Sequence, residues 1–418
     1  MPPLDLSWIR AQFPALAQTV NGQPAVFFDG PGGTQVPQRV IDAISNYLIH
    51  ANANTHGAFA TSARTDATIA DAHAAMADLL GCDPDEVVFG PNMTTLTFAM
   101  SRAIGRDLGP GDEIVVTRLD HDANVAPWRA LEERGVTVRA VDVDVEDCTL
   151  DMADMARAIT PNTRLVAIGY ASNAVGTIND VAEVVRMAHA VGALAYVDAV
   201  HYAPHGPIDV RALDCDFLAC SPYKFFAPHM GALYGKREHL ERLQPYKVRP
   251  AANATPDRWE TGTKNHEGLA GVAAAVDYLA ELGRSTGELA ANASRREALH
   301  AAMDAIRSYE RVLIEQLIAG LLDVPGLTFY GIREPERFGQ RTPTVSIRLA
   351  NVTPSELAAR LGERGFFVWD GNYYALSLTE RLGVEDSGGM VRIGLAHYNT
   401  SEEVERLLGA LREIAAGA

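Results

Sequence analysis

Two neighbouring stretches, Ala193-Leu-Ala-Tyr-Val-Asp198-Ala-Val-His201 and Asp216-Phe-Leu-Ala-Cys-Ser-Pro-Tyr-Lys224-Phe-Phe, decide the fold. Each holds a short, uninterrupted apolar run followed by a charged residue. Such a run, bounded by polar residues, reads as a strand buried on both faces, and strands of that kind build parallel sheets covered by helices. The same signal recurs on either side. β-rich runs occur at Glu86–Phe89, Glu113–Thr117, Val136–Val143, Thr163–Gly169 and Ala232–Gly235. Helical spacing marks Pro37–Leu48, Ser62–Leu80, Thr94–Leu108, Asn124–Arg134 and Val181–Val191. Alternating strands and helices predict an α/β domain with a mostly parallel, seven-stranded sheet, and ligands are expected at the carboxyl ends of its strands.

Beyond Gly283 the pattern changes. Glu288–Leu322 is almost all helix-forming, Thr342–Leu349 reads as a strand and Pro354–Arg364 as a helix. Met390–Ala396 reads as another strand, and Ser401–Ala415 as a closing helix capped by Ser401. The expected organisation is a large domain over residues 21–283 and a smaller α+β domain formed by residues 1–20 and 284–418.

The chain of 418 residues is 47% hydrophobic and 21% charged, enough to bury a large core and too apolar for a disordered polymer. Its formal net charge of −17 repels phosphate backbones, so nucleic acid is not an expected partner. No apolar run is long enough to span a membrane, and Met1–Arg10 lacks the apolar core of a signal peptide, so a cytoplasmic protein with no membrane partner is expected. Cys82, Cys148, Cys215 and Cys220 show neither a CxxC pair nor zinc spacing. His201 and His205 are separated by Pro204, and His266-Glu267 lacks a second histidine, so no metal is expected. No GxGxxG follows a strand, which argues against a dinucleotide fold. The glycines of Gly231–Gly235 are too closely spaced for a P-loop.

The chain has only four lysines: Lys224, Lys236, Lys247 and Lys264. The last three lie among polar residues. Lys224 is delivered by an apolar strand and followed by Phe225 and Phe226. Desolvation there would lower its pKa and make it nucleophilic toward an aldehyde; by itself the segment fits equally a lysine snorkelling from a strand end. Asp198 alone would pass for a turn residue, but it could also hold a proton on a heterocyclic nitrogen. A carboxylate and an amine at the ends of successive strands suit a pyridoxal 5′-phosphate (PLP) site.

The ordered motifs around this pair carry a family resemblance. They are Leu119-Asp-His121-Asp-Ala-Asn124-Val-Ala-Pro127-Trp128, Ser172-Asn173-Ala-Val-Gly176-Thr177, Val197-Asp198-Ala-Val-His201 and Ser221-Pro-Tyr-Lys224. Arg258-Trp-Glu260-Thr-Gly262-Thr263 and Arg392-Ile-Gly-Leu-Ala-His-Tyr398-Asn399-Thr400 complete the set. Together they resemble the class V aminotransferases among fold-type I PLP enzymes, in the branch of cysteine desulfurases and selenocysteine lyases, over about Asn21 to Leu411. The resemblance implies PLP bound covalently to Lys224, with Asp198 on the pyridine nitrogen and His121 stacked on the ring. It puts His201 near the phenolic oxygen, where desulfurases usually have Gln, and Asn173 near that oxygen or the substrate carboxylate. Thr94, Thr95, Ser221 and Tyr223 would serve the phosphate, and Thr263 the phosphate of a neighbouring subunit, implying a homodimer with composite sites. Lys224, His121 and Asp198 would be the catalytic groups. Arg392 would grip the carboxylate of an amino-acid substrate.

The pattern departs from the desulfurases on the loop Val368-Trp369-Asp-Gly371-Asn-Tyr-Tyr374. Trp369 stands where those enzymes have a substrate-binding arginine, and Tyr374 where they have the cysteine that accepts sulfur. A phenol cannot form a persulfide. The expected enzyme is therefore a thiol-free relative, a C–S β-lyase or an aminotransferase, acting on an amino acid larger than cysteine in a pocket lined by Trp369, Tyr373, Tyr374 and, at the entrance, His56. An epimerase and a cofactor-binding regulator without turnover are the alternatives.

Overall fold

The computed structural model describes residues 4–287, 289–290 and 292–417. Met1, where the expected small domain begins, and Glu288, the expected start of its long helix, lie outside the described residues.

The larger sheet is built from Val87–Gly90 (β1), Glu113–Thr117 (β2), Thr137–Val141 (β3), Thr163–Gly169 (β4), Leu194–Asp198 (β5), Phe217–Cys220 (β6) and Gly231–Gly235 (β7). Their spatial order is β1-β7-β6-β5-β4-β2-β3, parallel throughout except that β7 runs antiparallel to β1 and β6. Alternation across this sheet explains the unbroken apolar runs. Val87, Phe89, Val115, Val166, Ile168, Val197 and Leu218 enter one buried cluster. Their neighbours Val88, Ile114, Val116, Leu165, Ala167, Tyr196 and Phe217 enter another on the opposite face. With both faces covered, no position is left for a polar side chain until the strand ends.

Helices Gln38–His50, Ala60–Leu80 and His266–Ser285 pack together on the first face, and Met93–Ile104 lies on the second. His266–Ser285 was not expected from the sequence. It is buried around most of its circumference and exposes only a narrow stripe that includes Asp277, Glu281 and Arg284, so it lacks the broad polar face of a surface helix. Asn124–Arg134, expected as one helix, divides into a single turn at Ala126–Arg129 and a tighter turn at Ala130–Arg134.

A second, antiparallel sheet contains Leu327–Tyr330 (β8), Thr344–Leu349 (β9), Trp369–Gly371 (β10) and Met390–Gly394 (β11) in the order β8-β9-β11-β10. Helices Pro354–Glu363 and Ser401–Ala416 close its core. The cap of the last helix is Thr400 rather than Ser401: the Thr400 hydroxyl accepts from the Glu403 N–H, and Glu403 reaches back to the Thr400 N–H.

The division expected at residues 283/284 does not separate the two cores. Helix Arg295–Leu322 is about 42 Å long at 1.5 Å per residue, long enough to serve both. Its Ala298–Ile306 half packs in the large core and its Leu313–Leu321 half in the small one. Residues 4–20 also bridge. Ile9 and Phe13 are buried in the large core, with Phe13 edge-on to Phe226 and Tyr278. Arg10 meanwhile binds the Tyr398 carbonyl and Glu403.

Candidate active site

Asp198, Lys224 and several of the residues expected around them meet at the carboxyl ends of β4, β5 and β6. Asp198 closes β5, in register with Gly169 of β4 and Ala219 of β6. A tight turn at Pro222–Lys224 follows β6 and brings Lys224 beside the end of β5. One cavity is lined by Thr94, Asp120, His121, Asn173, Asp198, His201, Ser221, Tyr223 and Lys224. A second, of about 560 Å³, shares His121, Asn173, Tyr223 and Lys224 with it and extends to Arg392, Trp369, Tyr373 and Tyr374. One shared wall thus joins the two cavities.

Burial sets the electrostatics of this wall. Lys224 is buried, which lowers its pKa; the nearby Arg392 charge pushes the same way and Asp198 opposes both. Burial raises the Asp198 carboxyl, although the Val200 N–H donates to Oδ1 at 2.9 Å. The His121 pKa falls to about 3, first through burial and then through Lys224 and Arg392. Its Nδ1 accepts from the Ala123 N–H at 3.0 Å, so the neutral ring carries its proton on Nε2.

Asp120 was not singled out in the sequence, although it directly precedes His121. It is buried, accepts from the Gly169 N–H at 2.6 Å and from Asn124 Nδ2 at 3.1 Å, and lines the cavity near Asp198. Burial, then the Asp198 charge, push its pKa up to about 8. Only glycine fits at position 169, because an added Cβ would stand 2.5 Å from Asp120 Oδ1.

The far wall comes from the small sheet. Arg392 on β11 donates to the Asn173 carbonyl at 3.0 Å, and its guanidinium lies 4.4 Å from the centroid of the Tyr373 ring. Trp369 faces Arg392 across β10 and β11. Tyr373 and Tyr374 both have positive φ, 56° and 61°, an uncommon conformation for aromatic residues. Hydrogen bonds hold it: Asn173 Nδ2 donates to the Tyr373 carbonyl at 2.9 Å and the Asp122 N–H to the Tyr374 carbonyl at 2.7 Å. The Tyr374 ring stacks on His121 at 5.3 Å.

Three expected residues lie elsewhere in the single chain. The Thr95 N–H is taken by Asn92 Oδ1, and Thr95 and Thr263 line a separate cavity with Trp259 and Lys264. The side chain of His56 is 83% exposed and faces Asp66 rather than either cavity.

The matching family is aminotransferase class-V, over residues 26–407, and the chain belongs to it. A cysteine desulfurase of Dickeya dadantii is 33% identical over 99% of this chain and 97% of its own length. Among solved structures, an apo cysteine desulfurase from Thermococcus onnurineus superposes with a TM-score of 0.88 at 26% identity, covering all of both chains. The cysteine desulfurase CsdA of Escherichia coli, in an S-sulfonic acid form, gives 0.83 at 28% identity over 99% of this chain and 98% of that one. The fold is thus that of the fold-type I PLP enzymes, and the protein is a PLP-dependent enzyme.

The cavity fits that cofactor. Asn173 Oδ1, His201 Nδ1 and Arg392 Nε are buried polar atoms without partners among the described residues, all belonging to residues that line one cavity or both. Asn92, Met93 and Thr94 bring the start of helix Met93–Ile104 to the same cavity, where free N–H groups and the helix dipole favour a phosphate. No helix among the described residues is long and apolar enough to cross a membrane.

Proposed function

We propose that the enzyme cleaves a carbon–sulfur bond in an α-amino acid larger than cysteine, by β-elimination and without a protein thiol. The observation that carries this reading is the lining of the second cavity: Lys224, the buried Arg392 and the rings of Tyr223, Trp369, Tyr373 and Tyr374, with no cysteine among the described residues of either cavity. Cys148, Cys215 and Cys220 are buried and Cys82 is partly buried. Burial raises the thiol pKa of all four, to about 12 for Cys148 and Cys215, which is the opposite of what a sulfur-accepting thiolate requires.

Lys224 would hold the cofactor, Asp198 its pyridine nitrogen, Thr94 and Ser221 its phosphate, with Tyr223 beside them. His121 would cover its ring and His201 would face its phenolic oxygen. The cofactor supplies an electron sink for the pair left at Cα. Arg392 binds the substrate carboxylate as a fork, helped by Asn173, and fixes the Cα–H bond toward Lys224. The Lys224 amine, made less basic by burial, takes the Cα proton. The pair at Cα then forms a Cα=Cβ bond as the Cβ–S bond breaks, the departing thiolate takes the proton held by Lys224, and water hydrolyses the released enamine to keto acid and ammonia. Trp369, Tyr373 and Tyr374 receive the substrate side chain.

A homodimer completes this reading. Ile41, Leu48, Ile49 and Phe59 are exposed apolar residues along and just after helix Gln38–His50. Thr263, with Thr95 beside it, would serve the partner's phosphate, and His56 would reach the entrance only in that assembly. The test is a screen of cysteine S-conjugates and other amino acids on the purified enzyme. Thiol and keto acid released in equal amounts support elimination. Conversion of the cofactor to its amine form would shift the assignment to transamination, and highest efficiency on cysteine or alanine would contradict the larger substrate.

A further inference from the structure

His201 is a buried side chain whose two ring nitrogens have different surroundings. Nε2 lies 3.0 Å from the hydroxyl of Thr342, while Nδ1 has no partner among the described residues. His205 does not supply one. Its ring stands edge-on at 5.3 Å, and its Nδ1 is engaged by Glu310 at 2.8 Å. Burial, then His205, Lys224 and Arg392, hold the His201 pKa well below its ordinary value, so the ring is neutral and carries one proton.

Thr342 decides where that proton sits. Its hydroxyl lies 3.2 Å from the Gly176 carbonyl, which also accepts the Thr342 N–H at 2.8 Å. A carbonyl can only accept, and a hydroxyl has one proton to donate. With the imidazole proton on Nε2, both contacts are hydrogen bonds: Nε2–H donates to Oγ1, and Oγ1–H donates to Gly176. With the proton on Nδ1, the hydroxyl must turn to Nε2, and its lone pairs then face the carbonyl oxygen. The first arrangement makes one more bond in a buried place, where an unmade bond is costly.

We propose that Thr342 is a positioning residue that holds His201 as the Nε2–H tautomer, so that Nδ1 acts as a hydrogen-bond acceptor toward the cofactor's phenolic oxygen. This rests on the placement of His201 proposed above. An acceptor at that oxygen favours its protonated form, whereas an N–H donor would favour the phenolate. The tautomer is set across the junction of the two cores, since His201 follows β5 and Thr342 precedes β9.

Two measurements test this. The first is ¹⁵N NMR of the cofactor-free protein labelled at histidine, with His201 assigned by the signal missing in His201→Gln. A proton on Nε2 is expected; a proton on Nδ1 overturns the proposal. The second is the absorption spectrum of the loaded protein. The wild type is expected to favour the shorter-wavelength band of a protonated phenol. His201→Gln, which offers an N–H, should shift intensity to the longer-wavelength phenolate band. Thr342→Val should shift it partway, and Thr342→Ser should restore the wild-type spectrum. An Nε2–H histidine combined with an unchanged His201→Gln spectrum would overturn the contact with the phenolic oxygen, and with it the placement of His201, while the tautomer would stand.

Discussion

The floor and the rim of the site differ in kind. The floor, at the ends of β4 to β6, places single charged residues where apolar strands stop: Asp198 after Leu194–Val197 and Lys224 just after Phe217–Cys220. The rim, Trp369–Tyr374, has one short strand, two non-glycine residues in the left-handed region and a large exposed ring, 72% for Tyr374. In the proposed mechanism the floor holds the cofactor and moves the proton at Cα, and the sheet fixes its geometry. The rim is tied down by a few backbone hydrogen bonds to Asn173 and Asp122, so its side chains can change without disturbing the floor. In the proposed mechanism the floor therefore moves the proton at Cα, while the rim sets the substrate and leaves out the thiol.

If that division holds, floor and rim variants should fail differently. Lys224→Ala should abolish covalent cofactor retention and lower turnover by about 10⁴-fold, the upper end for a positioned acid–base group; absorbance and steady-state rates check it. Arg392→Gln, on the wall between the two regions, should lower kcat/KM by about 10²-fold through lost charge-assisted hydrogen bonds, with the cofactor spectrum kept. Tyr374→Ala should raise KM by about tenfold or less, the scale of one aromatic contact, and leave cofactor affinity unchanged. A Tyr374→Ala protein that loses its cofactor would break the division.

Asp120 sharpens it from the side of stability. Its carboxyl titrates at about 8 in the folded chain against 3.8 ordinarily, so the folded state holds that proton more tightly than the unfolded chain does. The stabilisation is complete below the ordinary value and is lost as pH rises through the folded one. The unfolding midpoint of the cofactor-free wild type, taken relative to that of Asp120→Asn, should therefore fall between pH 4 and pH 8, since the shifts of the other buried groups are present in both proteins. The smallest effect is expected from Cys82→Ser: a partly buried thiol away from both cavities, whose loss should change kcat/KM by about twofold or less.

The floor was legible in the sequence because burial on both faces leaves charged residues only at strand ends. Asp198 and Lys224 stood out for that reason, and the order of motifs pointed to His121, Asn173, His201 and Arg392. Asp120 was hidden beside His121, because its closeness to Asp198 depends on Gly169 in a neighbouring strand. Thr342 had no local signal at all, since its contact with His201 joins residues 141 positions apart. Thr95, Thr263 and His56 followed from the resemblance alone, and in the single chain they lie away from both cavities.

The most direct test is a peptide mass map of two samples, the resting enzyme reduced with borohydride and the enzyme alkylated with iodoacetamide during turnover of a cysteine S-conjugate. The expected map carries the reduced cofactor on the Lys224 peptide and no added sulfur on Cys82, Cys148, Cys215 or Cys220. Extra sulfur on any of the four would contradict a thiol-free site, and an unmodified Lys224 would contradict the floor itself.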